Sequence, residues 1–323
     1  MGGLRAALFK MKSIITVGLG FGDEGKGTVV DALVRRYGAK LVIRYNGGAQ
    51  CAHNVITDDG RHHCFHQFGS GTLVPGCCTL LTKHVLVNPL VMFTEALQLE
   101  RIGVPNALKG MFIDERALVT TPYHRAMNRL REYSRNEKCH GSCGMGIGET
   151  MADSLRRPDG ALRVGDLLDH KILRDKLNRT RNEMVSQSKQ INLDGRYEEP
   201  LVEKELSTFD VPIEEMVEKY NRFTASVYIL DASQISDLLE EQNHVIFEGA
   251  QGVLLDENHG FHPHTTWSTT TSTNAHTFLQ EFGQPELLEL GIMRSYATRH
   301  GPGPFPTYNL DLTAKVTSSG AVR

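Results

Sequence analysis

The fold is decided by three consecutive stretches: Ser13-Ile-Ile-Thr-Val-Gly18, then Gly20-Phe-Gly-Asp-Glu-Gly-Lys26, then Thr28-Val-Val-Asp-Ala-Leu-Val-Arg-Arg36. The first is a short β-branched run, which is typical of a buried strand. The third places its apolar residues at helical spacing, which predicts a helix. The glycine-rich stretch between them therefore connects the end of a strand to the start of a helix.

This connection predicts a phosphate-binding loop, because its spacing is G-x-x-x-x-G-K. Backbone N–H groups of such a loop surround an anion, the helix N-terminus adds partial positive charge, and Lys26 adds a full one. Two features are unusual: Gly27 stands where Ser or Thr would hold magnesium, and the acidic pair Asp23-Glu24 lies inside the loop. Carboxylates there repel a phosphate unless a metal neutralises their charge or one of them takes part in the reaction. The plain alternative is a tight glycine turn with surface charges.

Strands and helices alternate along much of the remaining chain, which predicts an α/β fold with a mostly parallel central sheet and flanking helices. We expect one nucleotide-binding domain over residues 13–323, with a charge-rich helical insertion around residues 165–240 that lies outside the sheet. The other expected strands are 41–45, 80–87, 244–247 and 291–296, and the other expected helices are 90–101 and 121–137.

The composition excludes several classes of protein. Among 323 residues, 35 Lys and Arg face 38 Asp and Glu, and a formal charge of -3 is unsuited to general nucleic-acid binding. No stretch approaches the ~18 consecutive apolar residues of a membrane helix. Six cysteines are too few for a disulfide scaffold of this length. We therefore expect a cytoplasmic protein that binds neither nucleic acid nor a membrane.

Six ordered motifs resemble those of the adenylosuccinate synthetases. The phosphate loop contributes Gly22-Asp-Glu-Gly-Lys-Gly27, which is similar to the signature loop of that family. The other matches, in chain order, are Arg44-Tyr-Asn-Gly-Gly-Ala-Gln-Cys-Ala-His-Asn54, Gly144-Met-Gly-Ile-Gly148, Leu162-Arg-Val-Gly-Asp-Leu167, Phe247-Glu-Gly-Ala-Gln-Gly252 and Tyr296-Ala-Thr-Arg-His-Gly-Pro-Gly-Pro-Phe-Pro306. The resemblance implies a carbon–nitrogen ligase that joins L-aspartate to C6 of IMP, a purine nucleoside monophosphate, with GTP as phosphoryl donor and Mg²⁺ as the metal.

The same resemblance implies roles for individual residues. Asp23 would remove the N1 proton of the purine, while His53 and Mg²⁺ stabilise the charge on O6 as it attacks the γ-phosphate. The aspartate amine would then displace phosphate from C6. Asp23 and the backbone carbonyl of Ala52 would hold Mg²⁺. The triphosphate would bind Lys26 and the residues around it, which are Gly22, Glu24, Gly25, Gly27 and Thr28.

The substrate-binding residues are likewise implied by the resemblance only. Gln251 would hydrogen-bond the base, and Thr266 would bind the phosphate of the monophosphate. Arg156 or Arg157 would reach the substrate phosphate of a neighbouring subunit, so the resemblance implies a homodimer. The remaining positions that match the substrate site of the family are Gln50, Ser142, Cys143 and Arg299.

Structural explanations compete with several of these functional ones. A histidine such as His53, taken alone, is more often a surface or internally satisfied residue. Arg156 could pair with Asp153, and Glu248 and Asp256 could merely cap turns. A strand explains one further cluster better than zinc does, because its residues alternate with a period of two: His62, His63, Cys64 and His66.

Departures from the family pattern concentrate in the nucleotide pocket. Gln50 stands in place of an asparagine, and Ser142 and Cys143 stand in place of paired threonines. These changes leave open the bacteriophage branch of the family, which joins aspartate to dGMP and sometimes uses an adenine triphosphate, ATP or dATP. Against that branch, Asp23 is intact where its members tend to carry a small residue.

A third hypothesis is a nucleotide-binding protein without ligase activity. After Phe305-Pro306 the family continues with a Thr-Thr-Gly-Arg-rich loop that binds the aspartate carboxylates and with a segment that reads guanine, and residues 308–323 contain neither. We therefore expect that the chain is truncated, or that it handles those ligands differently.

Overall fold

A seven-stranded sheet forms the centre of the computed structural model, which describes residues 12–135, 141–193, 199–283 and 286–311. The strands of these residues are β1 (Lys12–Gly18), β2 (Leu41–Arg44), β3 (His53–Ile56), β4 (His62–Phe65), β5 (Cys78–Leu81), β6 (Leu86–Val87), β7 (Met111–Asp114), β8 (Leu118–Val119), β9 (Tyr228–Leu230), β10 (His244–Glu248) and β11 (Glu286–Ile292). Seven of them form the sheet, in the order β11-β1-β10-β2-β5-β7-β9.

Every pairing in this sheet is parallel, which confirms the predicted α/β architecture. In register, Ile14 of β1 pairs with Ile246 of β10, and Val245 of β10 pairs with Leu41 of β2. These strands read as apolar runs because both of their faces are covered by helices. The carboxyl ends of β1, β10 and β2 therefore meet at one edge of the sheet, where ligands bind in open α/β folds.

The helices cover the sheet and extend into a second layer. They are α1 (Lys26–Tyr37), α2 (Pro89–Arg101), α3 (Pro122–Arg135), α4 (Ile147–Arg156), α5 (His170–Ser188), α6 (Glu199–Ser207), α7 (Ile213–Thr224), α8 (Ala232–Glu240) and α9 (Thr273–Phe282). None of these helices combines the length and the apolar character that crossing a bilayer requires. The helix expected over 121–137 is thus present, with residues 136–137 lying outside the described ranges.

Three expectations from the sequence differ from the structure. The strand expected over 80–87 is two strands, because the chain turns after β5 and its continuation β6 pairs with β8 in a separate small sheet. The region around 165–240 is largely helical as expected, but β9 lies within it and forms an edge of the main sheet through pairing with β7. The last strand, expected over 291–296, is β11 at 286–292, an edge strand whose exposed glutamates conceal its pattern.

One buried asparagine links the carboxyl ends of two sheet strands. Asn46, two residues after β2, donates from Nδ2 to the carbonyls of Ala250 and Thr269, both at 3.1 Å. Its Oδ1 accepts the N–H of Ala250 at 2.7 Å. Asn46 is fully buried, so these bonds hold the segment after β10 against the segment after β2.

Asn46→Ala is expected to lower the free energy of unfolding by about 2 kcal/mol, because it leaves buried backbone groups unpaired. Urea unfolding followed by circular dichroism would measure the change. Asn221→Ala on α7 is the matched control, since that side chain makes only a 3.5 Å contact with His170, and it should change stability by less than about 0.5 kcal/mol. Equal stability of the Asn46 variant and the wild type would contradict this role.

Candidate functional site

The predicted phosphate loop lies at the carboxyl end of β1 and leads into α1. Its backbone turns through the left-handed region at Gly22, Asp23 and Gly25, with φ values of 90°, 62° and 89°. The loop interior is tight: a Cβ on Gly18 would come within 2.5 Å of Glu24 Oε2 and 2.6 Å of Lys26 Nζ. A larger residue at position 18 would therefore displace the charged groups that the loop encloses.

The two neighbouring carboxylates of the loop have different environments. Glu24 points inward: its Oε1 accepts the N–H groups of Gly20 and Gly22 at 2.9 Å each, and its Oε2 lies 2.5 Å from Lys26 Nζ. Both side chains of this ion pair are almost completely buried. A phosphate approaching Lys26 would therefore compete with Glu24 for the same donors. The acidic pair is thus more than surface charge on a glycine turn.

Asp23 points the other way, toward solvent and the segment after β11. Its side chain is 34% exposed, and its Oδ2 lies 2.5 Å from Nε2 of His300. A non-glycine residue with positive φ is uncommon, so the backbone at Asp23 is held in a conformation that directs the carboxylate out of the loop. Of the two acidic residues, Asp23 is the one that a ligand can reach.

His53 begins β3 and packs against the start of α1. A Cβ on Gly27 would lie 3.0 Å from His53 Cβ, so only glycine allows this approach. The imidazole Nδ1 lies 2.5 Å from Oε1 of Glu248, at the carboxyl end of β10. Burial lowers the pKa of His53, while the neighbouring Glu248 acts in the opposite direction. The histidine is therefore an oriented, buried residue of the site.

Glu248 is fully buried, and its neighbours favour the ionised form of its carboxylate. Its carboxylate accepts the N–H of Ser70 at 2.9 Å and the Ser70 hydroxyl. Arg44 of β2 pairs with Glu248 in register and donates from Nη1 to the Phe68 carbonyl at 3.1 Å. Burial alone would raise the pKa of Glu248, but the charge of Arg44 and the hydrogen bond with His53 lower it to about 2. The explanation that Glu248 merely caps a turn is therefore wrong. Asp256 does cap a turn, because it accepts the N–H groups of Asn258 and His259.

The residues present fit a hard cation such as Mg²⁺. Among the described residues there is no group of three or more His, Cys, Asp or Glu side chains that could hold a metal by themselves. The sequence cluster His62 to His66 accordingly lies on β4 and just beyond it, as expected of a strand. The partly exposed carboxylate of Asp23 and the backbone oxygen of Ala52, an exposed residue just before His53, are oxygen donors of the kind that such a cation binds. Mg²⁺ prefers a donor set that combines a few protein oxygens with phosphate oxygens.

Two glutamine side chains, Gln50 and Gln251, keep carboxamide atoms without a hydrogen-bond partner in the described part of the chain. A Cβ on Gly47 would lie 3.5 Å from Gln251 Oε1, and one on Gly48 would lie 3.1 Å from Gln50 Oε1. Both amide atoms of Gln50, and Oε1 of Gln251, are buried with no hydrogen-bond partner within the described ranges. The remaining amide atom, Nε2 of Gln251, donates to Sγ of Cys51 at 3.8 Å. Buried, unpaired amides are unfavourable, so this pocket is suited to a ligand with donors and acceptors at one edge.

Other predicted residues lie around this centre. Thr28 is exposed on the first turn of α1, and Thr266 donates its N–H to the Leu255 carbonyl at 2.9 Å. Ser142 accepts a hydrogen bond from Asn128 at 3.0 Å and, like Cys143, is exposed in the loop before α4. The guanidinium of Arg299 is bound to carbonyls of its own segment.

The two candidate arginines at the end of α4 have different partners. Arg157, four residues after Asp153, forms the ion pair with that aspartate, so the expected pairing of Asp153 with Arg156 is wrong by one position. Arg156 instead lines an open cavity of about 440 Å³ together with Arg131 and Glu183. Within one chain, Arg156 is therefore an exposed residue of α4 that faces the cavity beside α5.

The sequence did not single out Arg44, Ser70 or His300. Arg44 carried a usable signal, since an arginine in a buried strand needs a carboxylate nearby. Ser70 and His300 carried none, because their contacts depend on segments far apart in the chain.

The family whose sequence model matches is adenylosuccinate synthetase, over residues 15–321. Among curated relatives, adenylosuccinate synthetase of Nostoc sp. (strain PCC 7120) is 34% identical over 302 residues, covering 92% of this chain and 62% of the relative. The adenylosuccinate synthetase of Crocosphaera subtropica is 35% identical over 302 residues, covering 92% of this chain and 63% of the relative. The chain thus spans a little over three fifths of the length of these relatives.

Two solved structures share the architecture. Fully ligated adenylosuccinate synthetase from Plasmodium falciparum gives a TM-score of 0.75 at 23% identity, over 95% of this chain and 68% of that one. Cyanophage S-2L succinoaminodeoxyadenylate synthetase, bound to dGMP and to dATP as an energy donor, gives a TM-score of 0.59 at 17% identity, over 92% of this chain and 71% of that one. At these identities the likeness concerns the fold alone, and it confirms the predicted α/β class.

Proposed function

The chain belongs to the adenylosuccinate synthetase family, and on that premise we propose that it is a carbon–nitrogen ligase joining L-aspartate to C6 of IMP with hydrolysis of GTP. The observation that carries the proposal is the arrangement at the carboxyl ends of β1 and β10. There the glycine-rich loop carries the buried Lys26 and the outward-pointing carboxylate of Asp23, and the buried His53 packs beside it. A phosphoryl transfer to a purine oxygen needs a phosphate site, a base and a group that stabilises negative charge.

Asp23 would act as the base that removes the N1 proton of IMP, because its carboxylate points out of the loop. With Nδ1 committed to Glu248, Nε2 of His53 is the nitrogen that would face the reacting oxygen. The ionised Glu248 stabilises positive charge on the ring as negative charge develops on O6. Lys26 would bind the triphosphate after exchanging its contact with Glu24.

The carboxylate of Asp23 and the carbonyl of Ala52 would hold Mg²⁺, which supplies positive charge to the phosphate oxygens during transfer. The remaining loop residues are proposed to bind triphosphate: Gly22, Glu24, Gly25, Gly27 and Thr28. Gln50 and Gln251 would pair with the purine base, since both amide atoms of Gln50 and Oε1 of Gln251 are buried without a hydrogen-bond partner in the described part of the chain.

Residues outside the loop would bind the substrate phosphate. Thr266, Ser142 and Cys143 are proposed for one subunit, with Arg299 fixing the segment beside the loop. We propose a homodimer in which Arg156 reaches the site of the partner subunit, since Arg156 is exposed whereas Arg157 is engaged by Asp153.

The bacteriophage type of reaction is the second candidate, and the carboxamide pocket favours it. Gln50 is one methylene longer than the asparagine of the family, and Cys51 lies against Gln251. The longer side chain of Gln50 would alter the shape of the pocket that distinguishes one purine from another. The triphosphate in that case could be ATP or dATP.

A substrate panel tests the proposal. Phosphate release is measured with IMP, GMP or dGMP, each with L-aspartate, Mg²⁺ and either GTP or dATP. We expect turnover with IMP and GTP, and a rate at least about tenfold lower for dGMP, since one misplaced hydrogen-bonding group costs that much. Turnover of dGMP alone would overturn the choice of IMP. Nucleotide binding by titration calorimetry, without product from any purine, would instead support a binding protein without ligase activity.

A further inference from the structure

The segment after β11 folds over the phosphate loop. The guanidinium of Arg299 lies 4.4 Å above the ring of Phe21. Phe305 meets the same ring edge-on at 5.8 Å, and Phe261 stacks on it at 6.0 Å. Phe21 is thus enclosed on several sides, and the segment 299–305 is fixed against the loop by aromatic and cation–π contacts.

The conformation of this segment is set by Arg299. Its Nη1 donates to the Pro304 carbonyl at 2.8 Å, and its Nη2 donates to the Pro302 carbonyl at 2.9 Å. A weaker contact at 3.4 Å reaches the carbonyl of His264 on the neighbouring loop. These bonds order the chain on the carboxyl side of His300, so the imidazole is presented to the loop from a defined backbone.

The contact of His300 with Asp23 is not a consequence of burial. The His300 side chain is 77% exposed, yet its Nε2 lies 2.5 Å from Oδ2 of Asp23. An exposed side chain that reaches one particular carboxylate oxygen restricts the rotamers of that carboxylate. In the described part of the chain the second oxygen, Oδ1, makes no hydrogen bond.

We propose that His300 is a positioning residue for the reaction: its close contact with Oδ2 of Asp23 fixes the carboxylate so that Oδ1 faces the N1–H of the bound purine. This inference rests on the proposed function. His300 does not touch the purine in this arrangement; it acts through Asp23. Because the reacting atoms must be held within a fraction of an ångström, a freely rotating Asp23 would abstract the proton less often.

Two variants and a matched control test the kinetic role. H300A is expected to lower kcat about tenfold while leaving the KM for GTP within about twofold, because the lost contact orients the base and does not bind phosphate. H300N keeps an N–H donor and should recover part of kcat. H276A is the control, since His276 on α9 forms a similar exposed pair with Glu289 at 3.2 Å outside the site; its kinetics should match the wild type. A wild-type kcat in H300A, or a raised KM for GTP at unchanged kcat, would overturn the proposal.

A spectroscopic measurement separates this inference from the proposed function. In the ¹⁵N-histidine spectrum of the whole chain, the ring signal of His300 is identified as the one missing from H300A. The variant D23N is expected to shift that signal and to leave the His276 signal unchanged. If no purine is turned over but the shift occurs, the proposed reaction fails while the contact stands. If D23N leaves the His300 signal unchanged, the positioning role is overturned even in an active ligase.

Discussion

Replacing Asp23 with asparagine is expected to reduce turnover of IMP about 1,000-fold, the scale of losing a positioned general base. The affinity for GTP should stay within a few fold. Asp23 lies on the outside of the phosphate loop, whereas the buried donors and charges of its interior belong to Gly20, Gly22, Glu24 and Lys26. Asparagine has nearly the same size as aspartate, so the loop should keep its shape.

Phosphate release with IMP, GTP and L-aspartate measures the rate, and titration calorimetry measures the affinity for GTP. Asp169→Asn is the matched control, because Asp169 caps α5 far along the chain and asparagine caps a helix equally well. That variant should retain wild-type turnover. Comparable turnover in the Asp23 and Asp169 variants would contradict the assignment of Asp23 as the base.

The local part of the site was predictable from the sequence because its geometry is encoded over short distances. A β-branched run, a glycine-rich turn and a helical pattern follow each other directly in residues 13–36, and the structure places β1, the loop and α1 there. The opposite orientations of Asp23 and Glu24 were not predictable. Neighbouring acidic residues look alike in a sequence, and only the positive φ of Asp23 and the inward bonds of Glu24 distinguish them.

The long-range part could not be predicted for a different reason. β9 is three residues long and lies among helices, so its pairing with β7 follows from tertiary packing rather than from a periodic pattern. The contacts of Glu248 with His53 and Ser70 join segments almost two hundred residues apart. They depend on β10 lying between β1 and β2, an order that no local signal specifies.

Arg44 and Glu248 connect the stability of the fold to the geometry of the site. Both side chains are buried, and they are cross-strand neighbours on β2 and β10. Glu248 also holds the imidazole of His53. Loss of this carboxylate would therefore remove a negative charge that acts on buried Arg44 and release a residue of the proposed reaction.

Glu248→Gln is expected to lower the free energy of unfolding at neutral pH by about 3 kcal/mol, because Arg44 stays buried without its charged neighbour. Urea unfolding measures the loss. Adding Arg44→Met should recover part of it, since the uncompensated charge is then removed. Glu218→Gln on α7, where the ion pair with Arg222 is exposed, should change stability by less than about 0.5 kcal/mol.

The same pair predicts a pH dependence with a definite sign. Folding lowers the pKa of Glu248 from 4.5 to about 2, so the ionised carboxylate stabilises the fold above pH 4.5. As the pH falls from 4.5 toward 2, the unfolded state binds its proton first, and the contribution is lost. The difference in stability between wild type and Glu248→Gln should therefore shrink across that interval, while the small difference for Glu218→Gln should show no comparable decline. A difference for Glu248→Gln that stays constant down to pH 2 would mean that folding does not lower the pKa of this carboxylate.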